Sequence, residues 1–192
     1  GRTKQEKAER LMRRYFQCTR AAGALTRSLC AALEEENLRA TPLEFSRKTE
    51  SLVLPEGFAL DGGRLRFEEA DALARNRVLA VRLFAVAAEQ GIDIHPRAYQ
   101  AIDTALSDLS RALMFEGEAN RLFMEMLTGK SPELILRRMN EAGVLGALVP
   151  EFERITGMMQ YDGYHTYTVD EHMLVAVGNL YQIEQGEWAG EM

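Results

Sequence analysis

Seven apolar residues near the start of the chain, Leu11, Tyr15, Cys18, Ala22, Leu25, Leu29 and Leu33, recur at intervals of three or four. That spacing sets them along one stripe of an α-helix, which turns once in about 3.6 residues. No proline interrupts the pattern between Thr3 and Asn37, so one long amphipathic helix is expected there, with "GRTKQEK" and "EEEN" as its polar ends. A stripe of this kind ordinarily packs against a core, and a packing helix is the plain reading.

The same rhythm fills most of the remaining chain. Helices are expected from Glu68 to about Gln90, stopped by Gly91, then from Pro96 through "HPRAYQAIDTALSDLSRALMF", then over "GEANRLFMEMLTGK". In "SPELILRRMNEAGVLGALVPEF", Ser131 is placed to cap a helix that has Pro132 at its first position, with Gly143 past its end. Short helical turns are expected at Val144–Leu148 and around Glu151–Met159. Thr168-Val-Asp-Glu171 has the S/T-x-x-E form of a capping box, so a last helix should run from Val169 to about Gln185. One stretch departs from the rule. "SLVLPEGFALDGGRLRF" alternates around Asp61-Gly62-Gly63, which reads as a hairpin of Phe58–Leu60 against Arg64–Phe67. The expected fold is all-α: a helical bundle with one long N-terminal helix and one small β-hairpin insertion near 51–67.

Composition bounds the function classes. At 192 residues and 46% hydrophobic, the chain is long enough and apolar enough to bury a core. Its 23 basic against 29 acidic residues give a net charge of −6, which disfavours nucleic-acid binding through clustered Lys and Arg. Cys18 and Cys30 sit 12 residues apart on one helix, roughly 18 Å at about 1.5 Å per residue, too far for a disulfide. Free thiols fit a reducing, cytoplasmic setting. No apolar run approaches the ~18 residues of a membrane span. The opening has no initiating Met and no signal-peptide form, so the chain is expected to be a piece of a longer protein.

Chemistry-bearing residues are few. His172 falls in the first turn of the last helix. An imidazole there can ligate a metal, act as a base, or simply cap and pack. His165 lies seven residues earlier, in a loop, so helical spacing does not align the two. Asp170 and Glu171 flank His172. His95 precedes Pro96 and reads as a helix-start residue. Glu68, Glu69 and Asp71 sit at a helix start, where carboxylates suit the dipole. Asp103, Asp108, Arg137 and Arg138 read as solvated. There is no His-Asp dipeptide, no H-E-x-x-H, no phosphate-binding G-x-x-x-x-G-K and no G-x-S-x-G.

Three segments together, "RRMNEAGVLG", "MQYDGYH" and "YTVDEH", resemble the bifunctional [protein-PII] uridylyltransferase/uridylyl-removing enzymes. "AERLMRRYFQCTRAAGALTRSLCAALE" is similar to the long helix that follows that family's nucleotidyltransferase domain. The resemblance implies that residues 1–159 are the helical region after that domain and that residues 160–192 begin an HD-type metal hydrolase domain. His172 matches the first metal ligand of such a site, with His165, Asp170 and Glu171 as its neighbours. The remaining ligands would lie beyond Met192. It also implies a parent enzyme that uses UTP and a divalent metal, Mg or Mn, to modify the PII signal protein, with glutamine sensed by ACT domains outside this chain. This segment would link the two sites, be inactive alone and hold no metal tightly. The exposed face of its last helix, Val175, Ala176, Leu180 and Ile183, would invite a second copy. Two readings compete: the helical region of an RNA-directed nucleotidyltransferase, which wants a basic and aromatic surface, and a non-catalytic helical interaction module.

Overall fold

The computed structural model of the chain describes residues 3–40, 53–159 and 167–187. Helix α1 spans Lys4–Ala40. Strands β1 (Phe58–Asp61) and β2 (Arg64–Phe67) follow, then α2 (Ala72–Arg75), α3 (Leu79–Gln90) and α4 (Pro96–Ala112). A 3-10 turn at Leu113–Phe115 leads into α5 (Gly117–Leu127), α6 (Pro132–Glu141), α7 (Val144–Leu148), α8 (Pro150–Ile155) and α9 (Val169–Glu184). The fold is all-α with a single antiparallel hairpin among the described residues, as expected. No helix among these residues is long and apolar enough to cross a membrane.

The hairpin forms because Gly62 and Gly63 both take positive φ, 55° and 76°, as a two-residue turn of matching twist requires. Phe58 pairs with Phe67 and Asp61 with Arg64. The hairpin is more than a surface insertion. Leu65 is fully buried; its N–H donates to Asp93 O, and its carbonyl accepts from His95 N, at 2.8 Å each. These bonds tie β2 to the segment that enters α4. Phe58, Leu65 and Phe67 thereby join the core with Leu83 and Phe84 of α3, Ile102 and Leu109 of α4, Met139 of α6 and Val144 of α7.

Local chemistry departs from expectation in three places. The helix expected from Glu68 to Gln90 breaks at Asn76, whose backbone is extended at φ −143°, ψ 102°. The Asn76 side-chain oxygen accepts from Val78 N at 3.0 Å, a short-range bond that competes with the helical ladder. Ser131 does precede α6, but its backbone is left-handed (φ 52°) and its hydroxyl makes no cap bond. Side-chain capping needs the extended geometry that Ser131 lacks. The third departure concerns α1. Among its described side chains none is buried, and Leu11, Tyr15, Leu25, Leu29 and Leu33 are 51–72% exposed. Its contacts with the rest lie along another side: Arg13 Nη2 donates to Glu153 O at 3.4 Å, and Phe16 lies against Gly157. Periodicity identifies the stripe, but the stripe is not the face that packs here.

Candidate functional site

The sequence centres interest on the first turn of α9. This turn is held from three directions. Val169 N donates to Met158 O at 2.8 Å, so the first free amide of the helix is satisfied by the loop after α8. Asp170 is 5% exposed, and its two oxygens have separate donors. Asn140 Nδ2, from α6, donates to Oδ2 at 3.0 Å, and Gly157 N donates to Oδ1 at 3.0 Å. A buried carboxylate is tolerable only when donors replace its lost water, and here α6 and the α8 loop supply them. Third, Glu171 pairs with Arg137 of α6, whose other amino group donates to Glu133 at 2.8 Å. Burial alone would lower the Arg137 pKa; the carboxylates of Glu133 and Glu171 outweigh it, and the pKa stands above its ordinary value.

The expected capping box at Thr168 therefore does not close. Thr168 has the extended backbone of an N-cap, but its side chain makes no cap bond. Glu171 is drawn to Arg137 instead of back to the Thr168 amide. The expectation that Arg137 and Arg138 are merely solvated is corrected with it. Each is 30% exposed, and Arg138 bonds Asp93 at 3.0 Å. His95 caps α4, with its Nδ1 accepting from Arg97 N at 3.1 Å. Asp103 and Asp108 are exposed, and Asp71 pairs with Arg75 at the surface.

Helical geometry separates Asp170 from His172. Two residues turn about 200°, so the buried stripe Asp170, Leu174 and Gly178 faces α6 while His172 is exposed on the other side. Gly178 allows the close approach: a Cβ there would overlap the Glu133 carboxylate. Met173, Leu180 and Ile183 share the outer side at 45%, 66% and 45% exposure, and Val175 and Ala176 are half-buried. His165 lies outside the described residues. No group of three or more His, Cys, Asp or Glu able to hold a metal exists among the described residues. With both Asp170 oxygens and Glu171 engaged by protein donors, His172 is the candidate ligand left in this turn among the described residues. These residues do not make a metal centre by themselves. Beneath them a cleft of about 260 Å³ is lined by Phe16 and Thr19 of α1 and by Asn140, Glu153, Thr156 and Asp170.

The two helices that meet the hairpin, and the α6–α7 turn behind them, define a helical domain that sequence comparison places with uridylyltransferases. Residues 58–148 match the family described as "Uridylyltransferase GlnD third domain". The chain is also 46% identical over 187 residues to the bifunctional uridylyltransferase/uridylyl-removing enzyme of Azospirillum brasilense, covering 96% of this chain and 20% of that protein. Both matches liken the chain to the bifunctional uridylyltransferase/uridylyl-removing enzymes, as its motifs implied. It spans about one fifth of the curated relative it matches. No solved structure matches it.

Sequence reasoning missed Asn140. It sits inside the quoted "RRMNEAGVLG", but nothing local marks an asparagine in a helix as the partner of an acid 30 residues later.

Proposed function

We propose that this chain is the middle of a bifunctional enzyme that adds UMP from UTP to the PII signal protein and hydrolyses it off again. Residues 1–159 serve as the helical region between the two active sites, and residues 160–192 begin the HD-type hydrolase domain. The carrying observation is the 46% identity that runs through 96% of the chain, across both proposed regions. The lone exposed His172 fits the first ligand of a divalent-metal site, Mg or Mn, whose other ligands come from outside the described residues. A bound metal there would activate water for attack on the phosphodiester. This chain's own part is to hold the helix that carries His172. Glutamine sensed elsewhere in the parent would bias the two activities through this segment, in the cytoplasm.

The test uses uridylylated PII with Mn²⁺, followed by mass spectrometry for loss of UMP. A chain extended past Met192 should remove UMP, its His172→Ala variant should not, and residues 1–192 alone should be inactive. Removal by residues 1–192 alone, abolished by His172→Ala, would show that the ligand set lies within this chain. No removal by any length would overturn the reading.

A further inference from the structure

The two acids beside His172 are natural guesses for metal ligands. The geometry points to a different role for the first of them: Asp170 and Asn140 form a positioning pair that fixes the rotation of α9, and so the direction in which His172 projects. This rests on the reading of His172 as part of the hydrolase site.

Three observations converge on it. Asp170 is the polar member of the stripe that α9 buries, 5% exposed, with Leu174 and Gly178 one and two turns further on. Leu174 and Gly178 are apolar or small and tolerate some rotation. A carboxylate with a fixed donor on each oxygen does not, because turning the helix would break two buried bonds at once. The donors come from different elements, Asn140 Nδ2 from α6 and Gly157 N from the loop after α8. The pair thus sets position along two directions. Glu171 repeats the tie to α6 at the rim through Arg137, one residue nearer to His172. With about 100° per residue, a rotation of α9 sufficient to lose the Asp170 bonds would swing His172 by the same angle.

The consequence reaches across the chain. Asn140 belongs to α6, inside the third-domain family match, and Asp170 to the helix beyond it that carries the candidate ligand. A shift of α6 against α8 would therefore be felt at His172 without any contact to it.

The full-length enzyme provides the test, with both activities measured in each variant. Asn140→Asp places two carboxylates where one amide–carboxylate bond stood. Adding Asp170→Asn restores a donor and an acceptor: the new amide at position 170 donates to the new carboxylate at 140, and its oxygen still accepts from Gly157 N. Asn140→Asp should lower kcat for UMP removal roughly 10- to 100-fold, in line with a misplacement of about 1 Å. KM should stay within about twofold, as for an interaction felt in the transition state. UMP addition should be retained. The double variant should regain most of the lost kcat. Hydrogen exchange of the Val169–Met173 amides should quicken in the single variant and recover in the double. If Asn140→Asp fails to fold, Asn140→Ala takes its place, with loss of kcat at constant KM still expected.

Unchanged removal in Asn140→Asp, while His172→Ala abolishes it, would overturn the positioning role and leave the site reading intact. Recovery of hydrogen exchange without recovery of kcat would overturn it as well. Unchanged removal in His172→Ala would take down the site reading and the positioning role together.

Discussion

The chain starts two helices with the same four-residue form, Thr3-Lys-Gln-Glu6 before α1 and Thr168-Val-Asp-Glu171 before α9. The first closes on itself. Thr3 N donates to Glu6 Oε2 at 2.9 Å, and Glu6 N donates to Thr3 Oγ1 at 3.2 Å, the reciprocal pair of a capping box. The second does not: Glu171 goes to Arg137, and the Val169 amide goes to Met158 O. The difference lies in the neighbours. The start of α1 is exposed, so only its own side chains compete for its amides. The start of α9 is pressed between α6 and the α8 loop, where an arginine and a carbonyl offer charged or better-placed partners. A capping pattern thus marks where a helix begins more dependably than it says which bonds will satisfy it.

Four sets of substitutions break or sharpen this contrast. The largest effect should come from packing under the second start. Leu174→Ala on α9, 1% exposed, should cost about 2–5 kcal/mol in urea unfolding, whereas Leu11→Ala on α1, 68% exposed, should stay within about 0.5 kcal/mol. Equal losses would mean that α1 is covered in solution. Next, Thr3→Ala should weaken the first turn of α1 by about 1 kcal/mol, seen as faster hydrogen exchange at residues 4–7. Smaller again is a charge-specific pair. Glutamine can close a capping box as well as glutamate, so Glu6→Gln should be neutral, while Glu171→Gln should cost about 0.5–1 kcal/mol by losing its ion pair. The Glu171 loss should vanish in an Arg137→Ala background, and an additive result would deny the pairing. The smallest effect belongs to Asp71, whose carboxyl is held below the usual carboxylate range by its hydrogen bond from Arg75. A depressed pKa adds stability above the unfolded value and loses it as pH falls through the folded one. Because the pair is solvent-exposed, Asp71→Asn should leave the unfolding midpoint unchanged at pH 7, and an acid titration followed by NMR should show Asp71 protonating below the usual aspartate range.

Much of the architecture was legible from residue order. The Gly62-Gly63 turn, Pro96, Pro132 and Pro150 at helix starts, and Gly91 and Gly143 at helix ends all act within a few residues. The candidate site was legible only as a name, His172 in a first turn. Its support was not, since Asn140 and Arg137 lie 30 and 34 residues from the acids they hold. The break at Asn76 falls between the two cases: the signal is local, but a helix-compatible sequence on both sides hides it.

By itself, then, the sequence determined the placing of most helices, the hairpin, and the motifs that liken the chain to a uridylyltransferase family. Those properties follow from backbone hydrogen bonds and side-chain periods only a few residues long. Tertiary structure alone decided that the apolar stripe of α1 faces outward. It also decided that the Thr168 box opens in favour of Arg137, and that Asp170 is buried while His172 is not. Each of those outcomes is a choice among partners distant along the chain, settled by which donors and apolar surfaces lie within a few ångströms once the helices are packed.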